Sequence, residues 1–193
     1  MAIRRFSTAE PGVKSNKFWD QDTQQGAMVP IATISLTANA GAINFASIPQ
    51  VYQDLMIVAQ LRDTTAATTP SYFNYMNNNG GSVYSATQLQ GDGASASSGR
   101  ITNQSIMGIG LQAGASANVG VFSSQIIHII NYKSSNHKSL IYRDGVDNNG
   151  SGALRISVGL FRDTNPITQF SFNAAATFLA GSTATLYGIK AGA

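Results

Sequence analysis

Residues 154–160 read Leu-Arg-Ile-Ser-Val-Gly-Leu, an apolar side chain at every second position with Arg155, Ser157 and Gly159 between them. A repeat of two puts Leu154, Ile156, Val158 and Leu160 on one side of a β-strand and is incompatible with a helical stripe. The same rhythm sets Leu55, Ile57, Ala59 and Leu61 on one face, with Gln60 and Arg62 opposite and Met56 and Val58 making the start of that strand two-sided. Further strands are predicted over 31–36, 42–45, 72–76, 83–89, 101–111, 121–132, 139–143, 167–172 and 183–189. The run Ile126-Ile127-His128-Ile129-Ile130 is apolar on both faces apart from His128, which predicts a central strand covered on both sides.

Turn chemistry divides these pieces. Asn77-Asn78-Asn79-Gly80-Gly81, Gly91-Asp92-Gly93, Asp144-Gly145, Asn148-Asn149-Gly150 and Asn165-Pro166 supply residues that tolerate positive φ or, in the case of proline, hold φ at a fixed negative value. No window shows an amphipathic helix with caps. About ten strands with regular turns and no helices predict an all-β, jelly-roll-like antiparallel β-sandwich, an eight-stranded roll with additions, over residues 27–193. Two low-complexity segments, 91–99 and 112–118, read as loops projecting from one end.

Residues 1–26 differ. They hold Arg4, Arg5, Lys14, Lys17, Glu10, Asp20 and Asp22, seven of the chain's 21 charges, and Pro11-Gly12 interrupts any long helix. Ile3, Phe6, Val13, Phe18 and Trp19 follow neither strand nor helix period. This segment reads as an extended docking arm, with Arg4, Arg5, Phe6, Phe18 and Trp19 as its anchors, since aromatic side chains and arginine dominate interface hot spots.

Composition narrows function. Only 11% of the 193 residues are charged, against roughly 25% in ordinary soluble proteins, so Ser, Thr, Asn, Gln and Gly cover the surface or contacts between chains hide it. Cysteine is absent, which excludes disulfides, thiolate metal sites and a thiol nucleophile. No apolar run reaches the ~18 residues of a membrane helix, and no apolar secretory leader opens the chain. The basic residues do not cluster in the sandwich, so the footprint of a nucleic-acid binder is missing.

Reagents for catalysis are few: Glu10 is the sole Glu, eight Asp complete the acids, and the histidines are His128 and His137. His128 reads as a hydrogen-bonded core residue and His137 as a solvated turn residue. Asp144–Gly150 has the composition of a calcium loop but fails its spacing and lacks the terminal Glu, so it reads as a hairpin turn. Asp63, Asp92 and Asp163 read as caps and turns; a glycosidase-like carboxylate pair would need two of them to meet across a subunit boundary. No nucleophile elbow, phosphate loop or dinucleotide fingerprint occurs. The chain reads as non-enzymatic, without cofactor or metal. One cluster invites a ligand: Tyr72, Tyr75, Asn77, Asn78 and Tyr84, aromatic and amide side chains around an Asn-rich turn, suit either a strand with its turn or a shallow glycan platform.

Two segments, Ala46-Ser47-Ile48-Pro49-Gln50-Val51-Tyr52-Gln53-Asp54-Leu55 and Ala180-Gly181-Ser182-Thr183-Ala184-Thr185-Leu186-Tyr187-Gly188-Ile189-Lys190, resemble the opening and closing motifs of a group of tailed-bacteriophage virion proteins, common among phages of marine bacteria and cyanobacteria. The likeness runs from about Val29 to Lys190, and Ser71–Gly99 departs from it. The leader, Ile3–Thr8 followed by Lys14–Asp20, is similar to one found on several cyanophage virion proteins with differing downstream domains. The resemblance implies a homotrimeric structural protein on the surface of a phage particle, made in the host bacterial cytoplasm. It would be a capsid decoration or cement protein attached through its arm to the major capsid protein. The alternative it implies is a short tail-fibre or receptor-binding protein, joined to tail proteins and contacting host surface glycans.

Overall fold

The computed structural model describes residues 28–190, and the arm anchors Arg4, Arg5, Phe6, Phe18 and Trp19 lie outside them. The described chain forms twelve strands: β1 (Met28–Ser35), β2 (Ala40–Phe45), β3 (Asp54–Gln60), β4 (Ser71–Met76), β5 (Tyr84–Gly91), β6 (Ala96–Gln104), β7 (Met107–Leu111), β8 (Ser124–Ile129), β9 (Lys138–Asp147), β10 (Gly152–Phe161), β11 (Phe170–Phe178) and β12 (Thr183–Ile189). They make an eight-stranded sheet, β1-β12-β3-β8-β9-β10-β5-β6, and a four-stranded sheet, β2-β11-β4-β7. Every strand pair in both sheets is antiparallel. No helix among the described residues is long and apolar enough to cross a membrane.

The connectivity has a simple logic. β1 pairs with β12, β2 with β11, β3 with β8 and β4 with β7. Pairing first with last, second with next-to-last and so inward is a long antiparallel ribbon rolled on itself, which is a jelly roll. Two hairpins are inserted into it. β5–β6 lies between β4 and β7 in the chain, β9–β10 between β8 and β11, and both add to the same edge of one sheet beyond β8. The predicted fold is the observed one, and its additions are these two hairpins.

The core lies between the sheets. Leu55, Ile57, Ala59 and Leu61 are buried as their spacing predicts, facing Phe170, Phe172 and Phe178 of β11. Tyr72 packs against Phe172 with ring centroids 5.4 Å apart, and Phe170 meets Phe172 edge-on at 5.1 Å.

The two motifs that carry the phage resemblance meet in space. Gly188 of β12 pairs with Leu55 of β3, and a Cβ on Gly188 would lie 2.3 Å from the ring of Tyr52. Only glycine lets that ring lie flat on the strand. Ile48 is buried and donates its N–H to the Thr168 carbonyl, while the Tyr132 hydroxyl donates to the carbonyl of Pro49. At the other end Ser182 Oγ accepts from Arg62 N at 3.1 Å and donates to Arg62 O at 3.2 Å. The Tyr52–Gly188 and Ser182–Arg62 contacts thus fasten the two ends of the β12–β3 pair.

Some boundaries differ from expectation. The stretch 101–111 is two strands, the end of β6 and all of β7, which belong to different sheets. Asp144-Gly145 is not a turn: β9 runs through it to Asp147, and the reversal follows, closed by Asn148 N–H donating to Ser151 O. Segment 112–118 does not project freely. Arg62 donates from Nη1 to Asn118 O and Val121 O and from Nη2 to Ala117 O, clamping that loop to the sandwich.

Gly188→Ala is expected to destabilise the fold by about 1–3 kcal/mol through overpacking against Tyr52. In chemical denaturation, combining it with Tyr52→Ala recovers part of that loss, so the two changes are non-additive. Additive losses would show that the ring and the glycine do not act as one contact.

Candidate interaction surface

A strand has one parity, and on β10 that parity is set at its end. Phe161 is fully buried and stacks on Tyr84 at 5.2 Å and 17°, its register partner on β5. Tyr142 of β9 is buried beside them. With Phe161 inward, Gly159, Ser157 and Arg155 must also point inward. Gly159 permits this because a Cβ there would lie 2.9 Å from Met107 Cε and 3.3 Å from Tyr142. The outcome reverses the ordinary amphipathic rule: Arg155 is 8% and Ser157 1% exposed, whereas Leu154 is 61%, Ile156 48% and Val158 55% exposed.

Neighbouring strands extend the apolar side outward. Val58, Ile126, Arg143, Ile156 and Leu89 are successive register partners across β3, β8, β9, β10 and β5. Met56, His128, Ile141, Val158 and Thr87 form the next row. Leu89 is 57% and Val58 40% exposed, and Met56, Ile126 and Ile141 are half-buried. The predicted two-sided covering of the Ile126–Ile130 strand is therefore met on its inner side only, by Ile127 and Ile129. At the loop end of this face lies an open groove of about 810 Å³, lined among others by Asp92, Ile126, Arg143, Asp147 and Leu154.

Behind the face is a buried polar seam. Asp144 of β9 and Arg155 of β10 are direct register partners, and Asp144 Oδ1 accepts from Leu111 N at 2.8 Å. Arg155 donates from Nε at 3.0 Å and Nη2 at 2.5 Å to Gln90 Oε1. Burial pushes the Asp144 carboxyl up from 3.8 to about 7, against the opposing pull of the Leu111 hydrogen bond and the Arg155 charge. Burial likewise raises the Tyr72 and Tyr142 hydroxyls, with Asn74 between them acting the other way. Asn74 is nevertheless outside hydrogen-bond geometry with either hydroxyl, and the orphaned atoms include Tyr72 Oη, Tyr142 Oη, both Asn74 amide atoms and Asp144 Oδ2. Such groups carry a desolvation penalty and are uncommon in a folded core.

The structure takes the strand-with-its-turn reading of the Tyr72–Tyr84 cluster, and the alternative glycan platform is dispersed. Tyr72 and Tyr84 are fully buried core residues, because β4 and β5 turn them toward β11 and β10. Asn77 is a staple: its Oδ1 accepts from Thr168 N at 2.8 Å and Gln169 N at 3.2 Å, and its Nδ2 donates to Pro166 O at 2.9 Å. Tyr75 is half-buried and Asn78 exposed. Asn77 and Asn78 have φ of 54° and 51°, so the turn uses their tolerance of left-handed backbone.

The remaining polar residues have structural partners. His128 is hydrogen-bonded as expected, its Nε2 3.0 Å from Asp54 Oδ2, but it sits half-buried on the outer face of β8 and not in the core. His137 is exposed in its turn. Asp63 is buried and accepts from Thr65 N, Thr65 Oγ1 and Gln112 Nε2. Asp92 caps Ala94 N and Ser95 N, and Asp163 caps Asn165 N. Among the described residues no three His, Asp or Glu side chains gather as metal ligands.

The outward apolar face was missed in the sequence because alternation shows that a strand has two unlike sides but not which side turns in. Its signal was the aromatic at the strand's end: Phe161 shares parity with Arg155, not with Ile156. Comparison with protein-family models, curated proteins and solved structures finds no match for this chain.

The folded chain holds the Asp144 proton up to about pH 7, whereas the unfolded chain releases it near 3.8. The folded state therefore binds more protons between those values, and this group's contribution to stability falls as pH rises from 4 to 7 and is level above. Asp144→Asn keeps an oxygen for Leu111 N and removes the titration. Urea unfolding of the variant is expected to show a pH profile flatter by up to about 4 kcal/mol across that window. A profile identical to the wild type would show that Asp144 titrates normally.

Proposed function

We propose that this chain is a non-enzymatic structural protein of a phage particle: a homotrimeric capsid decoration or cement protein, attached through residues 1–26. The resemblance of Ser47–Leu55 and Gly181–Lys190 to phage virion motifs supports the particle. The single structural observation that carries the assembly is the exposed apolar face on β3, β8, β9, β10 and β5. A sheet face of that kind is stable in water when another surface covers it. The mechanism is mechanical: the arm threads into the shell and the rigid sandwich covers apolar surface against sister copies. Low charge and small polar side chains suit chains packed closely around one another.

A second reading, a tail-fibre or receptor-binding protein, is favoured by the open groove with Asp92, Asp147 and Arg143 beside Leu154, which offers hydrogen-bonding charges next to an apolar floor as a saccharide requires. Copy number separates the two: hundreds of copies per particle belong to a shell, and a small multiple of three or six to a tail.

A chain lacking residues 1–26 retains every described strand. It is expected to fold and self-associate but to be absent from purified particles. Its incorporation at normal copy number would overturn the docking role of the arm.

A further inference from the structure

We infer that the outward face of the eight-stranded sheet, centred on β10, is the surface through which this chain binds further copies of itself. The inference deepens the particle reading above and rests on its homo-oligomeric part.

Leu89, Leu154, Ile156 and Val158 are each about half exposed or more, and Val58 is 40% exposed. With Met56, Ile126 and Ile141 they form an apolar surface on the order of 500 Å², interrupted by Arg143 and His128, in the upper range of the ~300–600 Å² of the largest patch on a typical monomer. Apart from Leu154, which lies in a third row opposite Gly145 and Gly91, the side chains of this patch stand in two register rows on a pleated surface, the same geometry as the inner face of a β-sandwich. Such a surface packs on another apolar sheet face with side chains interleaved. Around a three-fold axis each copy lays one part of this face against a different part of the face on the next copy, a heterologous contact that closes as a ring of three.

Size agrees. The five strands that carry the patch span about 24 Å, and six residues along them about 20 Å, so the face offers on the order of 500 Å². Two such shares make roughly 1,000 Å², the lower end of a specific interface. Charge also suits a second copy. Arg143 stands in the first row between Ile126 and Ile156, and Arg100 is exposed on β6. Asp92 and Asp147 rim the loop end of the same face and are exposed. A copy therefore presents acids as well as bases, which a polyanion does not. Finally, β8 is apolar on both faces, and one chain covers only the inner of them. A second layer of protein completes the burial that its sequence is built for.

Ile156→Lys combined with Val158→Lys places two charges in the centre of the face without entering the core, since both side chains point outward. The full-length wild-type chain, measured by light scattering and native mass spectrometry at micromolar concentration, is expected at three times the 20.3 kDa of one chain. The double variant is expected at the mass of one chain, with an unchanged strand signal in circular dichroism and a dissociation constant raised roughly 100-fold, a tenfold loss for each anchor. Leu89→Ser on β5 is the milder companion if the double variant fails to fold; it is expected to weaken assembly about tenfold. Folded variants that keep the wild-type mass overturn the assignment of this face and leave the homo-oligomer standing. A monomeric wild-type chain removes both.

Discussion

The inward seating of one aromatic layer governs the rest of this structure. Tyr84, Phe161 and Tyr142 come from three adjacent strands and close the core where the inserted hairpins join the jelly roll. Because side chains alternate strictly along a strand, seating Phe161 decides the direction of every residue back to Leu154. The benefit is burial of large aromatic rings, and each contributes more than an aliphatic side chain of β10 would. The cost appears on both faces of the extension. Arg155 and Ser157 are carried into the interior, while Leu154, Ile156 and Val158 are carried to the surface.

The insertions explain why both costs fall in one place. A bare jelly roll of four strands on four has two sheets of matched width, each covering the other. Adding β9–β10 and β5–β6 to one sheet alone doubles its width to eight strands against four. β7 is the strand of the smaller sheet that touches β5, β9 and β10, and Gly110 within it makes room for the Tyr72 ring. The inner side of the extension is thus covered by a thin, polar-lined contact in which Asp144 and Arg155 face each other and hydroxyls of Tyr72 and Tyr142 lack partners. On the proposed reading the outer side receives its cover from sister chains. The wide sheet then serves as an assembly platform backed by the four-stranded sheet.

Loop chemistry follows the same economy of partners. The Asn-rich and Gly-rich segments, which in sequence resemble free recognition loops, are mostly tied down. Asn77 holds 166–169, Arg62 holds 117–121, and Asn148 Oδ1 accepts from Asn118 N. Val119 remains fully exposed in its loop, and Asp92 and Asp147 line the groove.

Much of this was legible before any coordinates. Period-two alternation, the turn clusters and the lack of helical stripes determine an all-strand chain, because those signals are local and each strand reports its own two unlike sides. The buried set Leu55, Ile57, Ala59 and Leu61, the hydrogen-bonded His128 and the capping roles of Asp92 and Asp163 could be read for the same reason. What only the tertiary structure decided is which side of a strand turns inward and which strands lie beside one another. Tyr72 and Tyr84 suit either a strand core or an exposed platform until β11 and β10 are placed against them. Asp144-Gly145 looks like a reversal until Arg155 is found opposite. The apolar side of β10 looks like core until Phe161, seven residues further on from Leu154 and of opposite parity, meets Tyr84. Alternation is symmetric under exchange of the two faces, so the choice between them belongs to contacts made far away in the chain.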